Sequence, residues 1–395
     1  MINFRKYPST TKIVIPDEIS LVNTNFNNAF NNMRLLQTCE FNHQNTANLT
    51  HAYDCCGNLT GSPVCGNNVV DMSYAYNYCY NIISPIACGP NVTNMYSAYN
   101  YCYRLTDAPV CGPNVINMAY AYHICSNITG PAVCGNNVIN MAMAYNGCQR
   151  LRNSPVCGPN VASMYRTYQN CWNLSGPPAC GDKVTNMRQA YYNCSKLTGS
   201  PICGNSVNDM SYSYYFCISL RNSPACGPNV TNMSNAYWNC RNLTGPPACG
   251  DKVVNMCNAY CECQNLTGQP VCGNNVTDMS YAYYNCRKLT GVPVCGPNVT
   301  NMAYAYWYWT NFNEPAYYFY SSNITNFHNC FYARKANQSY NFYVPENSTT
   351  LNTLLSGNDS SGLFGFYMIW TQGNNGTGNY WYNSSTNSYL YTFTP

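Results

Sequence analysis

Charge is scarce in this chain. Only 8% of its 395 residues are Asp, Glu, Lys or Arg, and Lys+Arg 18 against Asp+Glu 14 leaves a formal +4. That thin balance argues against nucleic acid as a partner, because phosphate backbones are held by clustered Lys and Arg. Histidine is rarer still, at His43, His51, His123 and His328. None of the four belongs to a constellation with a carboxylate and a nucleophile. Carboxylates are too sparse for a paired acid/base site, and Asp182 and Asp251 occupy the same turn position in different copies of a repeat, where they read as turn formers. No glycine-rich phosphate loop occurs. An enzyme is therefore not expected, nor is a cofactor or a resident metal. Long apolar runs are missing too: nothing approaches the ~18 residues of a membrane helix, so no membrane insertion is expected. The first residues, Met1 to Pro8, lack the apolar core of a signal peptide. If the protein works outside a cell, the expectation is a signal-free route such as release inside a virus particle, or a processed form.

What is present is repetition. Eleven Cys-Gly dipeptides recur every 23 residues, at Cys65, Cys88, Cys111, Cys134, Cys157, Cys180, Cys203, Cys226, Cys249, Cys272 and Cys295. The unit reads C-G-x-x-V-x-x-M-x-x-A-Y-x-x-C-x-x-L-T-x-x-P-x. Val69, Met72, Ala75, Tyr76 and Cys79 stand in the i, i+3, i+4, i+7 relation of one helical face, which predicts a short helix or helical turn in each unit. The Thr-Gly-x-Pro stretch after it reads as a short extended segment, since proline disfavours the α region in the residue before it. Gly66 with Asn68, and Gly112 with Asn114, supply a turn and a helix N-cap. Each unit is then one coil of a solenoid. The register reaches back through Thr46, Leu49, Ala52, Tyr53 and Cys56 to Phe26, Ala29, Phe30, Met33 and Leu36, and forward with Trp309 in place of the second cysteine to Ile324, Phe327, Cys330 and Phe331. The expected architecture is an α/β repeat solenoid of the leucine-rich-repeat kind. It comprises an N-terminal cap segment (1–16), 23-residue coils of short strand plus short helix (17–332), and a β-rich C-terminal cap or attachment module (333–395). The last contains β-like runs at Asn379–Asn383 and Tyr389–Thr392.

The motif N-V-T-N-M-x-x-A-Y-x-x-C-x-x-L-T, carried by Asn229 to Met233 through Cys240 to Leu243 and Thr244, resembles the BspA-type and mycoplasma-surface-type leucine-rich repeats. The resemblance spans residues 24–332. Phe342-Tyr-Val-Pro345 is similar to the stretch that follows the last repeat in such proteins. The unit departs from the family in its second cysteine, where an aliphatic residue is usual. What the resemblance implies is a bacterial or bacteriophage protein used in surface recognition or adhesion, placed on a virion or an extracellular surface.

The 27 cysteines form two columns of eleven, one at Cys65 and its equivalents and one running from Cys56 and Cys79 to Cys286. Cys39, Cys55, Cys257, Cys261 and Cys330 fall outside them. Three readings stand: small core hydrophobes, disulfides between neighbouring coils, and metal sites. Intervals of 14 and 9 residues, as between Cys65, Cys79 and Cys88, do not match the short spacing of structural zinc ligands, so metal ranks last. Buried thiols rank first, and Cys257, Cys261 and Cys263 form the most favourable place for a local bridge. Val69, Met72, Tyr76, Cys65 and Cys79 are assigned to the core. Two variable aromatic columns are assigned outward as binding candidates: Tyr74, Tyr120, Tyr212, Tyr281 and Tyr304, and Tyr192, Tyr215, Trp238, Tyr284 and Trp307. Such rings suit a protein or glycan surface, and equally they can cover the coil layer or pack against a neighbouring subunit. The expected function is non-enzymatic surface recognition or adhesion by a virion or cell-surface appendage. The alternative is a self-assembling coat or fibre protein.

Overall fold

The computed structural model describes residues 3–15, 24–40, 46–60, 65–85, 88–107, 110–309, 316–328, 330, 341–345, 349–350, 371–374, 379–383 and 388–393. The chain divides into two compact units, Met1–Thr198 and Gly199–Pro395. Each is built from 23-residue coils joined by parallel bridges. In the first unit the bridges run Asn48↔Asp71, Asp71↔Asn94, Asn94↔Asn117 and on to Ser163↔Asn186; in the second they run from Asp209↔Asn232 to Asn301↔Asn326.

The expected helix is absent from the described coils. From Met72 to Cys79 the backbone N–H groups alternate between two kinds of partner. Ala75, Asn77 and Cys79 donate three residues back, to the carbonyls of Met72, Tyr74 and Tyr76. Met72, Tyr74, Tyr76 and Tyr78 donate instead to the next coil, to the carbonyls of Asn94, Tyr96, Ala98 and Asn100 at 2.8–2.9 Å. A helix would keep all of these bonds to itself. Two residues per coil also sit in the left-handed region, Tyr74 at φ 56° and Tyr78 at φ 57° in this one. Each is the third residue of a turn, where type II geometry requires positive φ. The arc is thus a chain of tight turns cross-linked to its neighbour.

The strand part of the coil is also displaced from where the sequence placed it. The bridges fall on the residue just before the methionine, not on Thr-Gly-x-Pro. That residue is Asn or Asp in most copies, and its side chain accepts the N–H two residues on, as in Ser73 N–H to Asp71 Oδ1 (2.7 Å) and Ser234 N–H to Asn232 Oδ1 (3.0 Å). It forms an Asx turn that launches the arc. The Thr-Gly stretch is a turn too, because Gly176, Gly199 and Gly245 have φ of 81–89° and Asn153 and Asn222 adopt the same sign at equivalent positions.

Inside each coil Val69, Met72, Ala75, Tyr76, Cys79 and Ile82 are fully buried, and Cys65 nearly so. The tyrosines stack. Tyr53 to Tyr191 in the first unit lie 5.3–5.6 Å apart between centroids, and Tyr214 to Tyr306 in the second 5.4–5.6 Å. From Tyr122 onward their hydroxyls give the position a second role that Phe30, at the same place in the first coil, does not have. Tyr237 Oη donates to the carbonyl of Ala225 (2.6 Å) and accepts its N–H (3.0 Å), and the pair of bonds recurs at Tyr122, Tyr145, Tyr168, Tyr214, Tyr260, Tyr283 and Tyr306. No disulfide joins the described cysteines, Cys257, Cys261 and Cys263 included.

At the start of the first unit, strand β1 (Lys12–Val14) pairs in parallel with β3 (Thr38–Glu40), and β2 (Thr24–Asn25) with β4 (Thr46–Asn48). Phe4 stacks on Phe30 at 5.0 Å and donates its N–H to the carbonyl of Ala29. In the second unit a five-stranded sheet runs in the order β5 (Ala316–Tyr318), β6 (Asn341–Pro345), β9 (Ser388–Phe393), β8 (Asn379–Asn383), β7 (Thr371–Asn374). Strands β5, β6 and β9 are parallel, and β8 and β7 join them antiparallel.

Candidate binding surface

The ten aromatic residues assigned outward are half-buried, not exposed. Tyr74, Tyr120, Tyr212, Tyr281 and Tyr304 all occupy the first left-handed position of their coils. Position alone would leave these rings in solvent, but the coil pitch brings them into mutual contact. Tyr74 lies on His51 at 4.3 Å, Tyr215 on Trp238 at 4.6 Å, and Tyr281 on Tyr304 at 4.6 Å, all within 11° of parallel. Tyr281 and Tyr284, and Tyr304 and Trp307, touch across the two columns at 5.7 and 5.4 Å. Tyr192 is half-buried in the same manner of position. Stacked rings offer solvent their edges and hydroxyls, whereas a sugar packs on an open face. One further column carries more exposed rings, Tyr80 at 42%, Tyr103 at 39% and Trp172 at 42%, the first two stacked on each other at 5.5 Å. Sequence reasoning passed over them because their column is aromatic in only three coils, at Tyr80, Tyr103 and Trp172.

Between the rings runs a hydrogen-bonded column of polar side chains. Asn77 Nδ2 donates to Asp54 Oδ1 (2.9 Å), Asn100 Nδ2 donates to Asn77 Oδ1 (3.0 Å), and His123 Nδ1 donates to Asn100 Oδ1 (2.8 Å). Burial lowers the pKa of His123 to about 4, so its ring stays neutral. Asp54 also meets His51 Nδ1 at 2.8 Å and the Cys55 thiol at 3.4 Å. Here Cys, His and Asp assemble in a single coil. It is a poor nucleophile site, because burial and then the Asp54 charge raise the Cys55 thiol to about 11, and the histidine bonds the carboxylate, not the sulfur. Among the described residues no group of three or more His, Cys, Asp or Glu converges to hold a metal ion, and no helix is long and apolar enough to cross a membrane.

A groove in the first unit has different chemistry. Across the bridge segment Val69 and Met72 are buried while Val70 is exposed. The outward column runs Val70, Thr93, Ile116, Ile139, Ala162, with Val70, Ile116 and Ile139 exposed by 49, 45 and 48%. Its backbone is fixed rung by rung, Ile116 N–H to Thr93 O (2.8 Å), Ile139 N–H to Ile116 O (2.9 Å), Ala162 N–H to Ile139 O (2.8 Å). Alongside stand Asn91, Asn114, Asn137 and Asn160, each donating its amide to a carbonyl of the preceding coil at 2.8–3.0 Å, and Lys183 closes the row on Asn160 Oδ1 at 2.6 Å. The asparagines expected as turn or cap residues are therefore inter-coil braces. Thr93, Ile116, Ile139 and Ala162 with these braces line a groove of about 700 Å³. The second unit has a cleft of about 620 Å³ beside Cys272 and Cys295, bordered by Pro270, Val271, Val294, Pro297 and the exposed Tyr320.

Residues 254–361 match the family described as "Mycoplasma protein of unknown function, DUF285". A leucine-rich repeat protein from Bacteroides ovatus, known from a crystal structure, superposes with a TM-score of 0.46 at 13% identity, covering 86% of this chain and 85% of that one. No curated protein matches.

Proposed function

We propose that this chain, whose repeats resemble the mycoplasma-surface leucine-rich type and whose residues 254–361 match a mycoplasma protein family of unknown function, is a non-enzymatic recognition protein that holds a partner protein against the Ile- and Asn-lined groove of its first unit. It serves adhesion or attachment at an extracellular surface, on a virion or a cell-surface appendage. The observation that carries this reading is the in-line exposure of Val70, Ile116 and Ile139 on hydrogen-bonded rungs. Aligned apolar side chains rimmed by polar ones are costly in water and marked by contact with a partner. The rungs are pre-ordered, so little conformational freedom is lost on binding. With only Lys183 charged along the groove, shape and hydrogen bonding select the partner, not long-range steering. A protein fits this better than a glycan, since the stacked tyrosines keep their faces from a sugar. End-on self-assembly is disfavoured at the start of the first unit, where Phe4 already covers Phe30.

The test is binding of the labelled full chain to surface preparations of its source, with and without protease or periodate treatment. Loss of binding after protease, retention after periodate, and loss in an Ile116→Asp, Ile139→Asp variant that melts normally are expected. Binding abolished by periodate, or unchanged in the variant, would overturn the reading. Sedimentation of the free chain as a regular polymer would favour the coat or fibre alternative instead.

A further inference from the structure

The first cysteine column differs from the second in what its sulfurs touch. Cys79 and its equivalents are fully buried and give their S–H to the carbonyl of the core tyrosine in the coil before, Cys79 Sγ to Tyr53 O at 3.1 Å and Cys240 Sγ to Tyr214 O at 2.9 Å. Five cysteines of the Cys-Gly column, Cys65, Cys88, Cys180, Cys226 and Cys249, lie instead within 3.8 Å of a thioether sulfur. Cys65 Sγ is 3.6 Å from Met72 Sδ, Cys180 Sγ 3.4 Å from Met187 Sδ, Cys226 Sγ 3.5 Å from Met233 Sδ, and Cys249 Sγ 3.5 Å from Met256 Sδ. From the other side the next coil aims an amide at the same sulfur: Gly89 N–H at Cys65 (3.4 Å) and Gly250 N–H at Cys226 (3.2 Å). Most of this column is only half-buried, and the cleft of the second unit opens on Cys272 and Cys295.

We propose that the Cys-Gly column is a row of soft-metal sites, each taking one monovalent d10 ion of the copper(I) kind between a cysteine thiolate and the methionine thioether of the same coil. Thiolate and thioether together select copper(I) over harder ions. Two sulfurs fall short of the four ligands of structural zinc, but two are a sufficient set for a monovalent soft ion. Binding exchanges the thiol proton for the metal: Cys–SH and the ion give a sulfur–metal bond and one proton released to solvent, with no change of oxidation state. The S–H to Gly227 carbonyl contact of Cys226 is given up, while the Gly250 N–H bond is retained and favours the anionic sulfur. Methionine is the pliant partner, since its three rotatable bonds let the thioether swing to admit an ion. The cysteine spacing in the sequence concealed the arrangement because the second ligand is a methionine seven residues on.

The experiment uses the fully reduced full chain under anaerobic conditions, titrated with copper(I) in competition with bicinchoninate, alongside selenomethionine-labelled protein read at the selenium X-ray absorption edge. The expected result is copper withdrawn from the competitor and a copper neighbour in the first shell of selenium. A Met233→Leu, Met256→Leu variant, close in volume and so nearly unchanged in melting, loses about two equivalents of bound copper. If bicinchoninate keeps its copper, the proposal fails. It fails equally if copper binds but selenium has no copper neighbour, or if the double variant binds as many ions as the parent, because the thiols alone would then be the ligands.

Discussion

A single hydroxyl is the clearest case of a residue doing two jobs. Tyr237 fills the core with its ring and ties down both polar groups of Ala225, whose N–H and C=O have the phenol as a partner. Replacing it by phenylalanine keeps the stack and removes that partner. A buried donor and acceptor left unpaired cost about 1–3 kcal/mol, so Tyr237→Phe lowers the unfolding free energy of the full chain by that much, read as a lower urea midpoint at unchanged slope, while the far-ultraviolet dichroism is kept. An unchanged midpoint would mean that water reaches Ala225 and the bond has no structural role. At this scale the sequence was readable in part. Val69, Met72, Ala75, Tyr76 and Cys79 repeat because they face inward, and their burial follows from pattern alone. The tyrosine hydroxyl was not readable, because its partner lies 12 residues back across the coil and no local rule links the two. Nor was the covering of Tyr74 or Trp238, since a ring's exposure depends on what the next coil places above it.

At the scale of the coil, the inward spacing of residues 72, 75, 76 and 79 is common to an α-helix and to the turn chain seen here, so periodicity could not separate them. The discriminating signal was present elsewhere. Asn170, Asn193, Asn239, Asn285 and Gly147 share one column in the left-handed region, and Asn and Gly are the residues that enter it at least cost. Bulky members such as Ile124 and Tyr78 masked that preference. The close approach of coils carries a similar constraint at the Cys-Gly glycine. A Cβ on Gly89 would lie 2.6 Å from the carbonyl oxygen of Gly66 and 3.3 Å from Cys65 Sγ. Backbone oxygen cannot turn aside as a side chain can, so Gly89→Ala must push two coils apart. We expect a loss of about 1–3 kcal/mol, as for an overpacked core, accompanied by faster amide exchange at Val92 and Val115, whose N–H groups bond the carbonyls of Gly89 and Gly112. A variant as stable as the parent would show that the coils have slack at this contact.

At the scale of the whole molecule, buried thiols and phenols govern stability at high pH. Burial raises Cys88, Cys134 and Cys249 from 9.0 to about 12, and Cys226 and Cys272 to about 11, and holds Tyr122, Tyr145, Tyr237 and Tyr283 well above 10.0. In the unfolded chain these groups ionise near their ordinary values, so above pH 9 the folded state binds more protons than the unfolded one. Stability is then complete below pH 9 and falls as pH rises towards 12, and because many equivalent groups release protons together the fall is steep. His123 acts in the opposite direction. Its folded value of about 4 lies below the ordinary 6.5, so its contribution is present above pH 6.5 and is lost between 6.5 and 4. Two columns of buried thiols make the alkaline loss abrupt. A pH series of melting temperatures on the reduced full chain checks this, with His123→Asn expected to flatten the acid limb and leave the alkaline limb in place. Retention of the neutral melting temperature at pH 11 would contradict the burial of the cysteine and tyrosine columns, on which the packing of every coil depends.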